Sequence, residues 1–80
     1  MKLLWEDAWC AIYALGQHRV KISYDWTGES HTSFISFWHP RKMKWRVVYS
    51  EVTRKTFAWK WEAVKTKLLE CAIMFLDGVD

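Results

Sequence analysis

Three histidines, two cysteines and one grouping of serine, aspartate and histidine are the residues of this 80-residue chain that could make or break bonds. His31 and His39 share a strand face but lie eight positions apart, about 26 Å at roughly 3.3 Å per residue. Neither has a cysteine or carboxylate at ligand spacing, and Cys10 and Cys71 are isolated from each other and from the histidines. No metal or cofactor is expected. His18 reads as a helix-end residue beside a negative dipole end. Ser23, Asp25 and His31 flank one predicted hairpin, but Ser23 and Asp25 face one side of it and His31 the other. The three glycines are scattered, so no loop can cradle a phosphate. A substrate pocket is also hard to build in so small a core. No enzyme activity is expected.

A second set of residues suits binding. Arg19, Lys21, Lys42, Lys44 and Arg46 alternate with apolar residues over one central stretch, and Phe34 and Trp38 fall in the same stretch. Cations beside aromatic rings fit two kinds of ligand. Bases can stack on the rings while phosphates meet the cations. An acidic protein surface can use the same residues as hot spots. A protein partner is the leading expectation and nucleic acid the alternative. Lys and Arg stems lying over two rings would also make an ordinary solvated face.

These residues are positioned by a sheet predicted over Arg19 to Ser50. Val20-Lys21-Ile22-Ser23-Tyr24-Asp25-Trp26 alternates strictly, as a half-buried strand does. Thr27-Gly28-Glu29-Ser30 supplies a hairpin turn, and a two- or four-residue loop sets Trp26 opposite His31, Ile22 opposite Ile35 and Val20 opposite Phe37. His39-Pro40-Arg41 ends the second strand. An odd-length loop would then place Phe37 opposite Met43 and Ile35 opposite Trp45. That parity keeps Met43, Trp45, Val47 and Tyr49 in the core with Val20, Ile22, Tyr24, Trp26, Ile35 and Phe37. It leaves Arg19, Lys21, Phe34, Trp38, Lys42, Lys44 and Arg46 as the outer binding face.

Helices are predicted on either side of the sheet. Leu3 to Leu15 places Leu4, Ala8, Ala11, Ile12 and Leu15 on one helical face, with Gly16 as a stop. Trp61 to Leu76 carries the stripe Trp61, Val64, Leu68, Cys71, Ala72 and Phe75. A second stripe beside it, Leu69, Ile73 and Leu76 with Met74 near its margin, is more apolar than a surface helix requires. These four residues are a candidate homodimer contact. Residues 51–55 read as a turn, into either a short fourth strand at Thr56 to Ala58 or the helix directly.

The predicted fold class is α+β, in the order α-β-β-β-α, as one domain over residues 1–80 with both helices on one face of an antiparallel sheet. In topology that layout resembles the double-stranded RNA-binding domain. The resemblance carries no site residues over, because Trp59, Lys60 and Trp61 stand where such domains open their second helix with lysines.

Composition sets the remaining bounds. Apolar residues make up 51% and aromatics 18%, with seven tryptophans, enough for a core without staples. Trp5, Trp9, Trp26, Trp45 and Trp61 are expected in that core, leaving Trp38 and Trp59 for the surface. The net charge of +3 permits an anionic partner without requiring one. Two cysteines read as reduced thiols, although a disulfide between the two helices would also fit. Glu6 and Asp7 stand where a signal peptide would be apolar, and the longest apolar run, Cys71 to Leu76, is far too short to span a bilayer. A cytoplasmic location without membrane contact is expected. The reading as a whole is a small non-catalytic protein that docks on a larger assembly, a profile associated with phage-type inhibitors of host factors.

Overall fold

The computed structural model describes residues 1–26, 28–54 and 60–77. Over these residues the fold is α+β, but the order is five strands followed by one helix. The strands are β1 (Lys2–Glu6), β2 (Cys10–Leu15), β3 (His18–Trp26), β4 (Ser30–His39) and β5 (Lys44–Arg54), and the helix is α1 (Trp61–Asp77). The strands form an antiparallel meander in the order β1-β2-β3-β4-β5. The expected first helix does not exist, and the likeness to the RNA-binding domain falls with it.

The segment Leu3 to Leu15 is a hairpin because it has two apolar faces. In β2, Ala11, Tyr13 and Leu15 are buried, while Cys10, Ile12 and Ala14 lie half-buried on the other side. Apolar residues on both faces hide a period of two. The turn is made by Asp7, whose Oδ1 accepts the Trp9 amide at 2.9 Å, and by an Asp7 N to Cys10 O bond of 2.8 Å. Gly16 has φ +60 and sits first in the two-residue turn between Leu15 and His18, where a left-handed residue matches the strand twist. It starts a hairpin turn where a helix stop was expected.

The register between β3 and β4 is the predicted one: Val20 opposite Phe37, Ile22 opposite Ile35 and Trp26 opposite His31. The register between β4 and β5 is not. Phe37 lies opposite Arg46, Trp38 opposite Trp45 and Ile35 opposite Tyr49. The connecting turn holds four residues, Pro40 to Met43, with Met43 left-handed at φ 52. An even loop inverts the expected parity at the start of β5. A bulge between the Ile35 and Ser36 pairs then absorbs Val48 and restores Tyr49 to the core face. Met43, Trp45 and Val47 therefore leave the core, while Lys44 and Arg46 move to the helix side.

The core lies between one sheet face and α1. Ala11, Tyr13, Leu15, Val20, Ile22, Tyr24 and Ile35 meet Val64, Leu68 and Ala72, with Phe37, Val48, Tyr49, Trp61, Leu69, Cys71, Phe75 and Leu76 around them. The helix stripe is the one its sequence predicts. Residues 51–54, read earlier as a turn, continue β5. The suggested strand at Thr56 to Ala58 lies outside the described residues. No described helix is long and apolar enough to cross a membrane.

Candidate functional site: the open face of the sheet

The helix covers one face of the sheet only, and the paired registers define what the other face presents. Four rows cross it. The first holds Lys2, Ala14 and Arg19 and continues toward Trp38 and Trp45. The second is Trp5, Ile12, Lys21, Ser36 and Val47. The third is Cys10, Ser23, Phe34 and Ser50, and the fourth is Asp25, Thr32 and Val52.

The side chains of this face pack on one another. Trp38 and Trp45 meet edge to face, with ring centroids 5.4 Å apart. Lys21 Nζ lies 5.0 Å over the Trp45 ring, a cation–π contact. Ser36 sits among these larger neighbours and is only 3% exposed. Farther out, Trp5, Val47 and Val52 stay 50%, 55% and 67% exposed. Apolar side chains thus cross the sheet from edge to edge, and among the described residues no element packs above them.

The predicted binding set is divided by the structure. Arg19, Lys21, Phe34 and Trp38 occupy the open face as expected. Lys42 lies in the turn before β5. Lys44 and Arg46 pair with His39 and Phe37, on the helix side. With His39, Lys42 and Trp45 they line a recess of about 410 Å³ at the end of the sheet. Trp5, Ile12, Trp45, Val47 and Val52 join the face, although sequence reading placed the first two on a helix and the next two in the core. The adjacent pair Val47-Val48 was the available signal, since it breaks the alternation where the bulge falls.

The tryptophans expected in the core are distributed differently. Trp5, Trp9 and Trp26 are exposed, and Trp45 and Trp61 are half-buried. Trp9 and Trp26 still pack at the core's margin, Trp9 on Tyr24 at 5.4 Å and Trp26 on His31 at 6.1 Å. The expected dimer stripe is also split: Leu69 and Leu76 pack against the core, while Ile73 and Met74 are exposed.

Ser23, Asp25 and His31 do not share a face of the sheet: Ser23 and Asp25 lie on the open face and His31 on the helix face, as the alternation implied. His31 is 1% exposed, stacked on Tyr24 at 5.4 Å between centroids, and its Nδ1 is hydrogen-bonded to the Tyr24 hydroxyl. Among the described residues no three His, Cys, Asp or Glu side chains are placed to hold a metal ion. Cys10 and Cys71 are free thiols, one on the open face and one on the helix, with the sheet between them. No disulfide ties the two as the helical reading allowed. Partial burial pushes the Cys10 thiol up from its ordinary value.

Comparison with protein-family models, curated proteins and solved structures returned no match.

Proposed function

We propose that this chain is a small non-catalytic binding protein whose open sheet face docks on a larger protein, in the manner of a phage-type inhibitor of a host factor. The observation that supports this is the apolar sheet face that no described element covers. Five strands about 4.8 Å apart and roughly seven residues long give a face of about 500–600 Å² in projection. That approaches the ~800 Å² which each partner contributes to a standard protein interface. Its aromatic residues, Trp5, Phe34, Trp38 and Trp45, are of the types enriched at interface centres.

The partner suited to this face has an apolar centre and acidic groups along one margin, to meet Lys2, Arg19 and Lys21. A cytoplasmic setting agrees with the two unpaired thiols. The loss of Lys44 and Arg46 from the face shifts the balance away from a phosphate-binding surface there and toward a protein.

A photo-crosslinking residue in place of Val47, introduced in the cell that makes the protein, tests the proposal. One protein partner is expected, captured in stoichiometric amount, and lost when Val52→Asp is added. The same probe in place of Glu70, on the exposed side of α1, captures nothing comparable. Purified partner and chain then bind with a shallow salt dependence, set by the charges along the margin. Crosslinks to a second copy of this chain alone, or crosslinks indifferent to Val52→Asp, overturn the proposal.

A further inference from the structure

The charges of this protein are sorted by the meander. Antiparallel pairing brings the start of β1, the β2–β3 turn and the β4–β5 turn to one end of the sheet. That end carries Lys2, Arg19, Lys21, Arg41, Lys42, Lys44 and Arg46, with His18 and His39. The strand ends and turns that meet here hold no acid, and the acid nearest in the fold's elements is Asp77, the last residue of α1. Glu6, Asp7, Asp25, Glu29 and Glu51 all lie toward the opposite end, where α1 begins with Glu62.

Among the described residues the cations of the basic end form no ion pair with a carboxylate: the salt bridges join Lys65 to Glu6 and to Glu62. Grouping seven like charges costs stability by self-repulsion. The C-terminal end of α1 accounts for part of the grouping on the helix side, where Phe75 lines a groove with His18, His39 and Arg46. It does not reach Arg19 and Lys21, which lie on the open face.

Aromatic rings stand among these cations. Trp45 lines the recess of about 410 Å³ with His39, Lys42, Lys44 and Arg46, a volume in the range of small-ligand sites. β5 is an edge strand, so its side chains on both faces can be reached from outside the sheet. A ligand that crosses this edge meets Trp45 from one face and Lys44 and Arg46 from the other.

We propose that the basic end is a binding site for single-stranded nucleic acid. Phosphates lie along Arg41, Lys42, Lys44 and Arg46, and a base stacks on Trp45. Lys21, the flexible cap over that ring, yields the ring face to the base and keeps its ammonium for the next phosphate. The rings select a single strand over a duplex, whose bases are already stacked, and over an acidic polypeptide, which has none. This inference shares Trp45 and Lys21 with the docking face but not Trp5, Val47 or Val52, so a substitution at Val52 separates the two proposals.

The test is fluorescence anisotropy with a short mixed-sequence single strand at low and at raised salt. A duplex, poly-glutamate and anionic lipid vesicles serve as comparison ligands. Affinity for the single strand is expected to fall with salt, with a log–log slope of about −2 to −4 for three to five phosphates. Lys42→Glu with Lys44→Glu weakens it by about tenfold or more. Trp45→Ala weakens it by roughly five- to a hundredfold, whereas Trp45→Phe, which keeps a stacking ring and the packing beneath it, retains most of the affinity. Val52→Asp, at the far end of the open face, leaves oligonucleotide binding unchanged while abolishing the protein crosslink. Where Lys42→Glu with Lys44→Glu does not keep the thermal midpoint, Arg41→Glu with Lys42→Glu in the exposed turn takes its place. Absence of single-strand binding at low salt overturns the inference. So does affinity for poly-glutamate, vesicles or duplex equal to that for the single strand, or a Trp45→Ala variant that binds normally.

Discussion

Glu6 Oε2 stands 2.8 Å from Lys65 Nζ, an ion pair that ties edge strand β1 to the second turn of α1 across fifty-nine positions of sequence. The same oxygen accepts Trp61 Nε1 at 2.9 Å. The two donors hold the Glu6 carboxyl below its ordinary value of 4.5, the Lys65 hydrogen bond contributing most. Lys65 is pushed up from 10.5, first by its hydrogen bond to Glu6. The depressed carboxyl contributes stability above pH 4.5 that is lost as pH falls through its folded value. The raised ammonium contributes below pH 10.5 and loses its share as pH rises past that point. This pair is therefore expected to lower the thermal midpoint as pH falls below 4.5 and again as it rises above 10.5. Glu6→Gln removes the acid-side fall and lowers the neutral-pH midpoint more than Glu62→Gln, whose carboxylate is largely solvated.

Leu68 is the centre of the helix stripe, 3% exposed between Val64 and Ala72. Leu68→Ala is expected to cost about 2–5 kcal/mol. That is a large part of the ~5–15 kcal/mol typical of a folded domain. Met74→Ala, on the exposed side of the same helix, stays within about 0.5 kcal/mol. Urea titrations followed by circular dichroism separate the two.

Tyr24 and His31 are 2% and 1% exposed and share a hydrogen bond inside the core. Tyr24→Phe keeps the ring stack and removes the hydroxyl. A loss of about 1–3 kcal/mol is expected, the cost of taking one partner from a buried polar pair. A variant as stable as the parent would show that ring stacking alone holds the pair.

Met43 is left-handed at φ 52 on the surface turn that sets the register of β5. An L side chain there costs on the order of 1 kcal/mol. Met43→Gly is expected to raise the unfolding midpoint, against the usual direction of glycine substitution. Gly16→Ala at φ +60 should cost about 1 kcal/mol of stability and lower the midpoint, although the space around Gly16 is open. Both are read in thermal melts.

Much of this protein follows from local pattern alone. Val20 to Trp26 alternates cleanly because one face is polar, so strand, buried side and register with β4 could be read from spacing and one turn. The stripe from Trp61 to Phe75 fixed the buried side of the helix in the same way. The division of Ser23 and Asp25 from His31 followed from strand geometry.

The rest depended on contacts between distant residues. In Cys10 to Leu15 both faces are apolar, so the segment suits a helix or a strand by itself, and pairing with His18 to Ser23 decides for the strand. That added hairpin widens the sheet and brings Trp5 and Ile12 onto its open face. In β5 the parity inverts at the turn and again at Val48, so a residue's face depends on where the bulge falls, which packing of Tyr49 against Phe75 helps to hold. Those two parity changes carried Trp45 and Val47 out of the core and moved Lys44 and Arg46 across the sheet. The sorting of charge to one end is likewise invisible along the chain, because Lys2, Arg19 and Lys42 meet only when the meander folds. Sequence alone determined the binding chemistry available to this protein. Tertiary structure decided which of those side chains share a surface, because side-chain direction in a sheet is set by register, and register is a property of paired strands.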